Sequence, residues 1–179
     1  MSDQVLYCHD YVNQPYPRVR ELLLADPHQV FRRATAAVAS GAAELHVRLA
    51  GVEIGAEIAI EILGIENDYA YNRPATKISL EWRVARTMRI FPTMKADLLL
   101  FALSETETQL ELRGRYQPPA GKLGDAIDAA VGHRLAEASV TKFLQQVAGW
   151  LREQLALSTA VGILDKPASL LESAIDTEC

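Results

Sequence analysis

The sequence predicts one α+β domain in which a curved antiparallel sheet wraps around a long C-terminal helix, with two short helices after the first strand. Three observations predict this fold. Four segments between residues 44 and 116 alternate apolar and polar residues, as antiparallel strands with one buried face do. Two consecutive prolines, Pro118 and Pro119, end the last of these segments. Residues 121–155 then read as one long helix, and the 179-residue chain has the length of one domain.

The first strand and the two helices after it are delimited by turn and capping residues. Residues 5–12 read as a strand, and two prolines within 13–17 turn the chain into a first helix at 18–24. Asp26 is placed to cap a second helix, and Gly41 is expected to stop it. About five strands are expected to follow.

The alternating segments define the inward face of the predicted sheet. Segment 94–103 differs because both of its faces are apolar, so it is either a central strand covered on both sides or a strand with a bulge. Residues 104–107 are expected to form a hairpin, and Gly55 and Gly114 are plausible points of curvature. The inward residues of the four alternating segments are Leu45, Val47 and Leu49; Ile54, Ile58, Ile60 and Ile62; Ile78, Leu80, Trp82 and Val84; and Leu110, Leu112, Gly114 and Tyr116.

The long helix is expected to cover the inward face of this sheet. A sheet with one wet face must bury the other, and no other predicted element is large enough to do so. A strongly curved sheet cannot touch a straight helix everywhere, so we expect a pocket at one end. The domain is assigned to residues 1–156, and 157–179 form a tail that either is irregular or contains a short helix from Asp165.

Composition and charge exclude several classes of partner. The net charge of −5 argues against nucleic acid and anionic lipid surfaces. The longest apolar run, 98–103, is too short to span a membrane, and the first twenty residues lack a signal peptide, so the expected location is cytoplasmic. Cys8 and Cys179 imply no disulfide framework. The four histidines show no metal-binding spacing and no nucleotide fingerprint is present, so no cofactor is expected.

Three segments carry a resemblance to a known superfamily. They are Leu80-Glu81-Trp82, Ile90-Phe91-Pro92 and residues 112–125, where 114–128 follow the pattern G-x-Y-x-P-P-x-G-x-x-G-x-x-x-D. Over residues 3–156 the chain resembles the START-like or SRPBCC superfamily of polyketide cyclases/dehydrases and lipid-transport proteins, in particular uncharacterised bacterial members. The resemblance implies a helix-grip fold with a hydrophobic cavity. It implies no reaction, and no catalytic residue can be carried over to this chain.

The candidate ligand-binding residues are inward-facing and are expected near the gap between sheet and helix. Three of them are aromatic, and each taken alone is more often a core residue than a ligand contact. His133 and Glu137, one helical turn apart, are the first acid–base pair to test if a reaction occurs, although a solvent-facing pair is the commoner arrangement. The candidates are Ile58, Ile60, Leu80, Trp82, Phe91, Leu100, Leu112, Tyr116, Ile127 and Val131.

Three functions remain open on this basis. The first is binding, or transport, of a small hydrophobic ligand such as a lipid or polyketide. The alternative is an enzyme of the cyclase, aromatase or dehydratase type acting in the same cavity. The third is an assembly module that forms a homodimer or docks on a partner through the tail residues Leu170, Leu171 and Ile175.

Overall fold

The computed structural model describes residues 4–44, 57–85, 94–116 and 129–164. These ranges contain five strands and three helices, in the order strand, two helices, four strands and a long helix. They are β1 (Gln4–Val12), α1 (Tyr16–Ala25), α2 (Pro27–Glu44), β2 (Glu57–Ala70), β3 (Arg73–Ala85), β4 (Met94–Ala102), β5 (Thr108–Tyr116) and α3 (Ala129–Leu164). Within these ranges, no helix is both long and apolar enough to cross a membrane.

The five strands form one antiparallel sheet in the order β1-β5-β4-β3-β2. Helix α3 packs against β1, β5 and the two shorter helices, so all three helices lie on the same side of the core. The predicted α+β architecture, a sheet that grips a long C-terminal helix, is therefore confirmed. The inner face of the sheet is fully buried at Ile78, Leu80, Leu98, Leu100, Leu110 and Leu112.

Strand β4 is the central strand, and its two apolar faces have different coverings. The pairing of β4 with both neighbours is unbroken, so the alternative of a bulge is wrong. On the outer face, Leu99 and Phe101 form a small second core with alanines of β2 and β3. Tyr71 covers it, with its ring centroid 5.3 Å from that of Phe101. Tyr71 and Asn72 have φ of 51° and 61°, the conformation of a two-residue turn between twisted strands.

Glu111 on the outer face of β5 corrects the expectation of a uniformly wet face. Its side chain is fully buried, because neighbouring side chains cover it and donate hydrogen bonds to it. The hydroxyls of Tyr7 and Tyr71 each lie 3.1 Å from Oε2, and Arg113 pairs with Oε1. Gln109 Nε2 lies 3.3 Å from Oε2. Burial, together with the hydrogen bond and charge of Glu111, raises the pKa of Tyr7 to about 12, so this hydroxyl remains a donor.

Helix α2 is longer than its sequence signals indicate. It begins as predicted, with the Gln29 amide donating to Asp26 Oδ1 at 2.9 Å, but it passes Gly41 and ends at Glu44. The alanines on both sides of Gly41 have high helix propensity and outweigh the cost of one glycine, roughly 0.5–1 kcal/mol. Residue 44 is therefore helical, and the strand expected over 45–49 lies outside the described residues.

Helix α3 is also longer than expected, because it continues to Leu164, past the predicted helix end at Leu155. The register shift between β2 and β3 falls between Ile62 and Gly64. Gly114 is paired in register with both neighbouring strands, and Gly55 lies outside the described residues.

Gly149 in α3 offers a test of helix packing. A Cβ added there meets no atom within 4 Å, so Gly149→Ala should raise the free energy of unfolding by about 0.5–1 kcal/mol through the unfolded chain's lost entropy. Urea denaturation measures the change. The reciprocal control Ala156→Gly, at an exposed position of the same helix, should lower it by about the same amount. A loss of stability in Gly149→Ala would contradict the open space around this position.

Candidate functional site

A single row of paired residues crosses all five strands where β3 and β5 end and β1 and β4 begin. Cross-strand pairing sets Gln4 opposite Tyr116, Tyr116 opposite Met94, Met94 opposite Trp82, and Trp82 opposite Ile60. Trp82, Met94 and Tyr116 belong to the inner core, as the alternation predicts for the two aromatics. Since neighbouring strands lie about 4.8 Å apart, the backbones of Trp82 and Tyr116 are roughly 10 Å apart.

The next row of the inner face forms a depression. Gly114 of β5 is paired with Ala96 of β4, whereas the row beyond carries Leu112 and Leu98. The flexible side chain of Met94 lies closest to Gly114, since its Sδ is 3.0 Å from where a Gly114 Cβ would sit, and the Ala96 Cβ is 3.6 Å from the same point. Methionine is suited to fill irregular gaps and to adjust its rotamer. The apolar space above Gly114 and Ala96 is therefore held by a side chain that can move.

Tyr116 joins the row to helix α3 through a chain of polar contacts. Its hydroxyl lies 3.0 Å from Gln4 Oε1 and 3.3 Å from His133 Nδ1. His133 Nε2 lies 3.2 Å from Glu137 Oε1, and the imidazole stacks on the phenol with ring centroids 6.3 Å apart. Burial, followed by the negative charge of Glu137, raises the pKa of Tyr116, so the phenol keeps its hydrogen at neutral pH. The sequence placed His133 and Glu137 one turn apart, and the fold adds Tyr116 to them.

Trp82, on the other side of Met94 from Tyr116, packs the row against the helices. Its ring stands edge-on to Phe143 of α3 with centroids 5.0 Å apart, and Phe143 in turn meets Phe31 of α2 at 5.8 Å. The buried Nε1 of Trp82 has no hydrogen-bond partner in the part of the chain that the structure describes.

The residues predicted to bind a ligand separate into three groups. Ile60, Trp82 and Tyr116 share the transverse row, and Leu80 and Leu112 border the depression. Leu100 is six residues from Met94 along β4, roughly 20 Å away, in the closed part of the core. Phe91 and Ile127, and the side chains of Ile58 and Val131, lie outside the described residues.

Sequence reasoning missed the residues that shape the depression. Met94, Ala96 and Gln4 were not among the candidates, and Gly114 was taken as a point of curvature. One signal could have found the depression: Gly114 occupies an inward position of a strand whose other inward residues are large. Nothing in the sequence indicates that Ala96 lies beside it, because that depends on the register between β4 and β5.

A separate open groove of about 590 Å³ runs along α1 and is lined by Tyr16, Pro17, Arg20, Glu21, Leu24 and Ala25. Two of its polar side chains, those of Tyr16 and Arg20, are already hydrogen-bonded within the protein. The Tyr16 hydroxyl lies 2.7 Å from Thr76 Oγ1, and Arg20 Nε donates to the same oxygen at 3.0 Å. The transverse row and the depression are therefore the stronger candidate site.

The buried thiol of Cys8 gives a prediction about pH. Burial raises its pKa from 9.0 to about 11, so at pH 7.5 the native thiol should be unreactive towards a thiolate-specific disulfide reagent. Cys179→Ser leaves Cys8 as the sole thiol, and reaction should begin only on adding urea.

The Cys8 thiol holds its proton more tightly in the folded state than in the unfolded state. Its contribution to stability relative to Cys8→Ala is therefore full below pH 9 and lost as pH rises towards 11. Fast labelling of native protein would contradict this.

The architecture is a helix-grip arrangement, an antiparallel sheet around a long helix, as the sequence resemblance implied. No family model and no curated protein matches the chain.

Several solved structures are similar to it. The Zhui aromatase/cyclase from Streptomyces sp. R1128 is 18% identical with a TM-score of 0.47, over 86% of this chain and 96% of that one. A START superfamily protein from Mycobacterium smegmatis is 9% identical with a TM-score of 0.46, over 84% and 98% of the two chains. Norcoclaurine synthase from Thalictrum flavum is 9% identical with a TM-score of 0.40, over 85% and 88%. At such identities the likeness concerns the fold alone.

Proposed function

We propose that this protein binds a small, mostly apolar molecule between the sheet and α3, over the depression formed by Gly114 and Ala96. The observation that carries the proposal is this pair of small residues between two rows of large ones, with Trp82, Met94 and Tyr116 on one side and Leu98 and Leu112 on the other. The movable Met94 side chain lies over it. A ligand that displaced the thioether would meet an apolar floor, with the aromatic residues Trp82 and Tyr116 on either side of Met94.

The polarity of the surroundings supports a ligand that is largely apolar. Leucines border the depression, Trp82 and Tyr116 flank it on the strands, and Val140 and Phe143 are buried on α3. The side-chain oxygens and the imidazole lie at the Tyr116 end, and the Nε1 of Trp82 is a single polar atom on the opposite flank. Pockets for small molecules are usually built in this way, from an apolar lining with a few placed polar groups. A lipid or a polyketide has this chemistry.

The proposal is tested by filling the depression. The probe is 1-methoxynaphthalene, and its binding is followed by quenching of tryptophan fluorescence. Ala96→Leu should weaken binding by at least about tenfold, because the added side chain occupies the ligand's space. The matched control Lys95→Leu changes the adjacent, exposed residue of the same strand and should bind as the wild type does. Native mass spectrometry of the purified protein complements the titration by showing any small molecule that co-purifies.

Two results would count against binding at this place. One is an unchanged affinity in Ala96→Leu when circular dichroism shows the variant to be folded. The other is the absence of probe binding in the wild-type protein.

A second function, catalysis of a cyclase or dehydratase type, is favoured by the Tyr116–His133–Glu137 chain. A phenol hydrogen-bonded to an imidazole, which is itself paired with a carboxylate, can move a proton to or from a bound molecule. Heptane-2,6-dione tests it, because its intramolecular aldol closure and loss of water give 3-methylcyclohex-2-enone. The protein should accelerate this reaction, and His133→Gln should abolish the acceleration. No acceleration by the wild-type protein would set this function aside.

A further inference from the structure

The Tyr116 hydroxyl has one hydrogen to donate and two neighbours able to take it. A phenol oxygen both donates and accepts. Gln4 Oε1 lies 3.0 Å away and His133 Nδ1 lies 3.3 Å away. Which neighbour receives the hydrogen depends on the protons carried by the imidazole.

Glu137 determines how His133 is protonated. Its ionised carboxylate can only accept, so His133 Nε2, at 3.2 Å from Oε1, carries a hydrogen. In the neutral imidazole, Nδ1 is then unprotonated and accepts a hydrogen bond from the Tyr116 hydroxyl. The Gln4 amide is then oriented so that its NH₂ group donates to the phenol oxygen. In the charged imidazole, Nδ1 donates to Tyr116, and the phenol hydrogen goes to Gln4 Oε1.

Both arrangements have the same consequence for a bound molecule. The single phenol hydrogen is used inside the protein, and one lone pair of the oxygen accepts from either Gln4 or His133. The second lone pair of the oxygen can still accept a hydrogen bond from a molecule in the space beside it. The raised pKa of Tyr116 keeps the hydrogen in place at neutral pH, so the hydroxyl does not become a phenolate with further acceptor sites.

We infer that the Tyr116 end of the site selects ligands that donate a hydrogen bond, namely apolar molecules carrying a hydroxyl or amino group, over those that present only a carbonyl or ether oxygen there. The inference rests on the proposed binding site. It makes Tyr116 the specificity-determining contact and gives Gln4 and His133 the role of holding its hydrogen. A site with a free phenol hydrogen would have the opposite preference.

Matched aromatic probes test the inference. In wild-type protein, 1-naphthol and 1-naphthylamine should bind about 3- to 10-fold more tightly than 1-methoxynaphthalene, the range expected for one hydrogen bond. Tyr116→Phe should remove this preference, so that the three probes bind this variant with similar affinities. Equal affinities in the wild type, or a preference that survives in Tyr116→Phe, would overturn the inference while leaving the proposed function intact. If none of the three probes binds, the proposed function itself is wrong.

A second pair of variants distinguishes selection by Tyr116 from a general preference of the site for polar probes. Gln4→Leu with His133→Leu removes both acceptors and frees the phenol hydrogen. The carbonyl probe 1-acetonaphthone should then bind about 3- to 10-fold more tightly than it binds the wild type. Adding Tyr116→Phe should abolish that gain. An unchanged affinity for 1-acetonaphthone in the double variant, or a gain that persists without the phenol, would show that the hydrogen was not held as inferred.

Discussion

Replacing Phe143 by alanine is expected to lower the free energy of unfolding by about 3–5 kcal/mol, the range for a large aromatic removed from a closed core. Phe143 is fully buried on α3 and its ring meets both Trp82 of β3 and Phe31 of α2. Its removal therefore opens a cavity where the sheet and two helices meet. Urea denaturation followed by circular dichroism gives the change in free energy.

Two further variants make the Phe143 result specific. Leu157→Ala, at a position of the same helix that is 60% exposed, should change stability by less than about 0.5 kcal/mol. Phe143→Leu should fall between the two, because it retains part of the side chain's volume. A cost below about 1 kcal/mol for Phe143→Ala would mean that this three-ring contact is not a main element of the core.

Arg113→Met is expected to be strongly destabilising even though Arg113 lies on the outer face of the sheet. It leaves the fully buried Glu111 with only neutral donors, those of Tyr7, Tyr71 and Gln109. Removing one partner of a buried ion pair commonly costs 3–5 kcal/mol. Here Arg113 is 51% exposed and three donors stay, so we expect a loss of about 2–3 kcal/mol.

The double variant Arg113→Met with Glu111→Met distinguishes the cost of an unpaired buried charge from the cost of lost packing. It should be more stable than Arg113→Met alone, because no carboxylate is then left in a dry site. Arg115→Met, at the next exposed position of the same face, should lie within about 0.5 kcal/mol of the wild type. If the double variant is less stable than the single one, Glu111 contributes through its other hydrogen bonds rather than through its pair with Arg113.

Local sequence signals were sufficient for the order of the described elements and for the inward faces of β3 and β5. Alternation in β3 and β5 placed Trp82 and Tyr116 inward, since successive residues of a strand point to opposite faces. Asp26 was recognised as a cap because its effect reaches only three residues along the chain. The end of α2 was wrong because the helix propensity of several alanines competes with a single glycine, and no single signal decides that competition.

The candidate site depends on neighbours that the sequence keeps far apart. Gln4 and Tyr116 are 112 residues apart, and Tyr116 and His133 are 17 apart, yet their side chains are in contact. The burial of Glu111 likewise depends on Tyr71, 40 residues earlier in the chain.

The sequence by itself determined that a sheet with one apolar face packs around a C-terminal helix, because strand periodicity and helix length are local properties. Strand register and the docking of α3 decided which residues share a row, which polar groups meet, and where two small residues leave a depression. Those outcomes are set by contacts between distant segments, which no local pattern records.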